Sequence, residues 1–148
     1  MTSPMMTEFP YTHVHDLNPE QIDDLHGLYQ KEWWTQTRCR EELETMLANS
    51  DVVHGLVDPA TGALVAFARA LTDGIYKAVV FDVIVAEAHR GKGCGRILMD
   101  TLLERPELLA VKHVELFCKP GVSDFYSRWG FESESPKLHL MRRDQSGS

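Results

Sequence analysis

Long apolar runs, a disulfide pattern and an excess of basic charge are all missing from this 148-residue chain. Its hydrophobic stretches fall far short of the roughly 20 residues that cross a bilayer, which argues against a helical membrane span. Three cysteines, Cys39, Cys94 and Cys118, are odd in number and widely spaced, so they read as free thiols in a reducing compartment. A net charge of −7 argues against a nucleic-acid partner, because duplex binding draws its affinity from Lys and Arg neutralising phosphates. The chain has no His-x-x-x-His or Cys-x-x-Cys spacing, and His13 and His15 merely share one face of a short strand, so no metal site is expected. No Pro/Gly/Ser-rich stretch interrupts the interior, and a single domain over residues 1–148 is expected, ordered from about residue 9 to 143. Met1 to Phe9 carries no charged-then-apolar leader pattern, which makes the cytoplasm the expected location.

What the chain does contain is an alternation of strand and helix signals. Tyr11 to Leu17 reads as a strand, and Asn18-Pro19 supplies an N-cap and a first helical residue. Ile22, Leu25, Leu28, Tyr29 and Trp33 then recur at three- and four-residue steps, predicting a helix through about residue 33. A second helix is expected over 37–49. Val52–Val57 and Leu64–Leu71 form a hairpin around Asp58-Pro59-Ala60-Thr61-Gly62. Residues 78–85 make a nearly unbroken apolar strand expected to lie inside the sheet. A helix ending before Pro106 and a strand over 111–118 complete a crossover that predicts a parallel pair. Ser123–Trp129 reads as a short helix closed by Gly130, followed by an extended stretch from Phe131 with a strand at 138–141.

The most informative segment runs from Phe81 to Gly95, where the buried strand meets a turn with glycines at 91, 93 and 95. Glycine permits left-handed backbone angles, so successive N–H groups can converge on one anion at the positive end of the following helix. Arg90 and Lys92 add formal charge there. A P-loop would need Gly-x-x-x-x-Gly-Lys-Ser/Thr, and a Rossmann turn Gly-x-Gly-x-x-Gly; residues 91–95 match neither.

Arg90-Gly91-Lys92-Gly93-Cys94-Gly95 resembles the Arg/Gln-x-x-Gly-x-Gly/Ala signature of the GNAT superfamily of N-acetyltransferases. Downstream, Tyr126-Ser127-Arg128-Trp129-Gly130-Phe131 is similar to that family's Tyr-x-x-x-Gly-Phe segment. The resemblance covers about Tyr11 to Arg143. It implies a mixed α/β fold: a central mixed sheet with a splayed parallel strand pair, flanked by helices. It further implies acetyl-CoA as acyl donor, bonded by the backbone at Val83 and Val85 and held through its pyrophosphate by Arg90, Gly91, Lys92, Gly93, Cys94 and Gly95. No metal is implied.

By the same resemblance Tyr126 is the general acid that protonates the departing thiolate. An ionised Asp82 inside a strand is costly unless paired or open to a cleft, so it is a candidate base, with a structural or substrate-binding role equally open. Alternation places it on the face opposite Phe81 and Val83. Trp33 and Trp34, at the end of the first helix, are candidates for one wall of the acceptor site, and Arg38 could meet an acceptor carboxylate or pair with Glu41 or Glu42. Cys94 invites a covalent mechanism, but direct transfer to the amine in a ternary complex is what the family implies. The expected activity is transfer of acetyl to a primary amine of a small molecule or peptide; the competing reading is a non-catalytic acyl-CoA sensor. A homodimer paired through C-terminal strands stays open.

Overall fold

The computed structural model describes residues 10–146; Met1–Phe9, with the expected core boundary at Phe9, and the last two residues lie outside the described residues. Backbone contacts divide the chain into two compact units, one ending at Leu116 and one beginning at Phe117.

The first unit is built on a five-stranded sheet in sequential order: β1 (Thr12–Val14), β2 (Val52–Val57), β3 (Leu64–Thr72), β4 (Lys77–Val85) and β5 (His113–Leu116). Neighbours are antiparallel except β4 and β5, which are parallel as the crossover predicts. The β2–β3 and β3–β4 connections are the expected turns. In the second, Asp73 Oδ1 accepts the N–H groups of Ile75, Tyr76 and Lys77.

Helix α1 (Pro19–Gln30) starts as its residues dictate: Asn18 Oδ1 accepts the Gln21 N–H at 2.8 Å, and Gln21 Oε1 accepts the Asn18 N–H at 3.0 Å. It stops earlier than its apolar periodicity suggests. The Lys31 N–H turns back to Leu28 O, and Thr35 Oγ1, fully buried, donates to Tyr29 O at 2.9 Å. Trp33 and Trp34 therefore sit not on the helix but on a run of turns over 31–37. Helix α2 (Arg40–Ala48) follows, and its Leu43 packs with Leu25 and Tyr29 of α1 onto Phe67 and Ile84 of the sheet.

The other sheet face meets α3 (Cys94–Leu102), which is followed by a single turn, α4 (Pro106–Leu109). Fully buried alanines at 66, 68 and 70 clear space on β3, and His54 of β2 bonds Thr101 of α3 at 2.7 Å. Burial first, then the neighbouring Arg105, pushes the His54 imidazole down to about 3, so it stays neutral at ordinary pH.

The second unit contains α5 (Ser123–Ser127), shorter than expected and capped by Arg128, with Gly130 two residues further on at φ 87°. The strand expected at 138–141 is not formed. Residues 131–141 instead hold one turn, with Lys137 and Leu138 N–H bonded to Glu134 O, and Leu138, Leu140 and Met141 are exposed. Alternation fits a residue to a pleat, but a strand also needs a neighbouring ladder to pair with.

Candidate active site

The site grows from an irregularity in β4. Phe67 pairs with Ile84 and Arg69 with Phe81, so one residue of β3 faces two of β4, Asp82 and Val83. This bulge sets Asp82 at φ +60°, a left-handed conformation uncommon for any residue but glycine and tolerated best by Asp and Asn. Strict alternation would separate Phe81 from Asp82. The bulge instead brings both to Arg69, whose guanidinium lies 4.9 Å from the Phe81 ring centroid while its Nε donates to Asp82 Oδ2 at 2.8 Å.

Asp82 is the hub of a buried polar cluster, its side chain only 4% exposed. Arg38 donates to both its oxygens, at 2.7 and 3.3 Å, and the Tyr29 hydroxyl donates to Oδ2 at 3.0 Å. Burial alone would raise its pKa; the hydrogen bonds and charges of Arg38 and Arg69 outweigh that and hold the carboxyl below its ordinary range. Sequence reading pairs Arg38 with an acceptor carboxylate or with its neighbours Glu41 and Glu42; its partner is Asp82, from 44 residues on. The Arg38 carbonyl is itself held, accepting from His26 Nε2 and Gln30 Nε2 at 3.2 Å each. Between Thr35 and Arg38, the turn segment bearing Trp33 and Trp34 is fastened to α1 and to β4. Trp33 is 67% and Trp34 40% exposed.

Beyond the bulge, β4 outruns its parallel neighbour. The β4–β5 ladder covers Lys77 to Val80, and β4 continues through Val85 with Val83 and Val85 half-buried. Backbone groups on that edge are left without a strand partner from β5. The strand then feeds a short turn at 87–89 and the glycine segment. Gly91 and Gly93 stand at φ +79° and +80°, with open space where a Cβ would project. Gly93 caps α3, whose first internal bond runs from the Ile97 N–H to Gly93 O, so the amides of Cys94, Gly95 and Arg96 precede the ladder. Lys92 is exposed beside them. Cys94 is buried, and burial pushes its thiol up to about 11, the reverse of an activated nucleophile.

Arg90 points back along the strand, not forward over the turn. Its Nε donates to Val85 O at 3.1 Å and its Nη2 to Glu32 Oε2 at 2.9 Å. These groups line a cleft of about 200 Å³ at the carboxyl end of β4. Glu32 was not singled out from sequence; its one signal was an acidic residue beside two tryptophans.

Tyr126 belongs to the second unit and is half-buried there, edge-on to Phe125 and Phe131. Burial, then the neighbouring Cys118, pushes its hydroxyl up to about 12, so it keeps its proton at neutral pH. Among the described residues no group of three or more His, Cys, Asp or Glu is arranged to hold a metal ion, and no helix is long and apolar enough to cross a membrane.

The sequence and the fold of this chain match proteins of one family. The Acetyltransferase (GNAT) family profile matches residues 16–131. The chain belongs to that family. It is 40% identical over 107 residues to the serotonin N-acetyltransferase 2, chloroplastic, of Oryza sativa subsp. japonica, covering 70% of this chain and 53% of that protein. It is 31% identical over 104 residues to GCN5-related N-acetyltransferase 1, chloroplastic, of Arabidopsis thaliana, with the same shares covered. The chain thus spans about half the length of these relatives. Among solved structures, a putative GNAT-family acetyltransferase of Xanthomonas campestris superposes with a TM-score of 0.76 at 26% identity, covering 93% of this chain and 94% of the other. A putative acetyltransferase from Deinococcus radiodurans does so with a TM-score of 0.76 at 27% identity, covering 92% and 90%.

Proposed function

We propose that this chain is an N-acetyltransferase that moves the acetyl group of acetyl-CoA onto a primary amine by direct attack in a ternary complex. One observation carries the reading: β4 runs five residues past its last pairing with β5 and delivers the chain into a turn with glycines 91 and 93 at positive φ. The edge at Val83 and Val85, which β5 does not reach, suits the amides of the pantetheine arm, which would extend the sheet as an added strand. The amides of Gly91 to Gly95, with Arg90 and Lys92, suit the pyrophosphate. A single domain then performs the whole reaction, in the cytoplasm, where its three free cysteines stay reduced.

In the transfer, the nitrogen lone pair attacks the thioester carbonyl, the C–N bond forms, the C–S bond breaks, and a proton lost from nitrogen ends on sulfur. Tyr126, protonated at neutral pH, donates its hydroxyl hydrogen bond to the departing sulfur. Asp82 we assign to positioning, not proton abstraction: its oxygens are occupied by Arg38, Arg69 and Tyr29, and a depressed pKa makes it a poor proton acceptor. Arg38 accordingly anchors the acceptor loop through Asp82, and Trp33 and Trp34 furnish its aromatic wall. Small-molecule and peptide amines are both candidate acceptors. An arylalkylamine is the first to test, given exposed rings at 33 and 34 and the name of the rice relative.

The test is an amine panel read by released coenzyme A thiol, alongside thermal shift with acetyl-CoA against ATP. Stabilisation by acetyl-CoA and amine-stimulated release are expected; binding with no amine-stimulated release would favour an acyl-CoA sensor. Tyr126→Phe is expected to lower kcat about 100-fold with acetyl-CoA affinity unchanged. An unaltered kcat removes Tyr126 from the chemistry.

A further inference from the structure

We propose that Glu32 is the counter-charge for the acceptor's ammonium group, and that Arg90 masks it until the acyl donor's phosphates draw the guanidinium away. The inference rests on the acetyl-CoA reading above and adds a coupling between the two substrates that the reading does not contain.

Glu32 occupies a fixed platform. Its N–H bonds Tyr29 O at 3.2 Å and its carbonyl accepts the Thr35 N–H at 3.1 Å, so the backbone below the carboxylate is held on both sides. The side chain is 22% exposed and lines the cleft with Val85, Arg90 and two further charged residues, Lys31 and Glu87. This is the strand end at which the thioester would lie. A primary ammonium bound by Glu32 would thus stand beside the thioester, next to the ring-bearing turn of Trp33 and Trp34, and would attack once it has released a proton to water and regained its lone pair.

Arg90 lines this cleft, tied to Val85 O and to Glu32. It is also the residue immediately before Gly91, so side-chain rotation alone would turn it toward the phosphate turn. Its side chain is 54% exposed, and an ion pair this open to water is weak. A pyrophosphate offers the same guanidinium several anionic oxygens beside the α3 amides, a stronger set of charge-assisted bonds. Donor binding therefore uncovers Val85 O and frees the Glu32 carboxylate together. The amine site is assembled only in the loaded protein, which makes the affinities of donor and amine mutually reinforcing.

The masking predicts an effect in the direction opposite to ordinary damage: removing the Glu32 charge should tighten donor binding. Coenzyme A is titrated calorimetrically into wild type, Glu32→Gln and Glu32→Asp, each checked by thermal melting; tryptamine is titrated into free and coenzyme A-loaded protein. Expected are two- to fivefold tighter coenzyme A binding by Glu32→Gln, near-wild-type behaviour of Glu32→Asp, and tryptamine binding at least fivefold tighter to loaded than to free wild type, lost in Glu32→Gln. Coenzyme A binding that is unchanged or weaker in Glu32→Gln, or tryptamine binding that is absent or indifferent to loading, overturns the inference while leaving the acetyl-CoA reading intact. Failure of wild type to bind coenzyme A removes both.

Discussion

Asp82 receives Arg38, Arg69 and Tyr29 on a side chain 4% exposed, whereas Glu32 meets Arg90 in a cleft on one 22% exposed. Both are carboxylates paired with arginine beside β4, and type and partner alone would not tell them apart. Burial and the number of donors do. A carboxylate held by several donors out of water cannot change partner without stranding charge; one held by a single solvated guanidinium can exchange it at little cost. The first arrangement fixes a strained bulge in place, and the second is suited to a site that must open and close.

The sharpest way to break this contrast is stability. Asp82→Ala strands Arg38, Arg69 and the Tyr29 hydroxyl and is expected to cost about 3 kcal/mol in urea denaturation, while Glu32→Ala should stay within about 0.5 kcal/mol. Equal costs would dissolve the distinction. Next in size is the response to acid. Asp82 has its folded pKa below the unfolded value of about 3.9, so its contribution is complete above about pH 4 and is lost as pH falls through the folded pKa. The stability gap between wild type and Asp82→Asn should therefore close as circular dichroism melts are taken from pH 7 toward pH 2. The smallest effect is salt. Raising NaCl to about 1 M, where screening acts within about 3 Å, should erase any stability difference between wild type and Glu32→Gln. It should leave the gap to Asp82→Asn largely in place.

The sheet and the glycine turn were legible because their signals are local. Asn18-Pro19 and the spaced glycines write backbone conformation directly, and β2 appears over the expected residues 52–57. Asp82 was legible only as an anomaly: a charge in a strand must have a partner, but that its partners are Arg38 and Arg69 depends on a bulge that alternation cannot express. The end of α1 was misplaced for a related reason, since the apolar period runs on to Trp33 while a hydroxyl two residues later caps Tyr29 O. The strand expected at 138–141 failed because pattern names a pleat without naming a neighbour. Glu32 escaped because its ion pair with Arg90 joins residues 58 positions apart, and no spacing records that.

Cys94 carries a practical corollary. Its sulfur is sheltered behind the turn with its thiol raised to about 11, while Cys39 and Cys118 are exposed. Maleimide dyes at neutral pH should therefore label the two outer positions and spare the inner one. In a Cys118→Ser background, a fluorophore at Cys39, next to the arginine that grips Asp82, would then report optically on the turn over 31–37 without chemical intrusion upon the glycine segment.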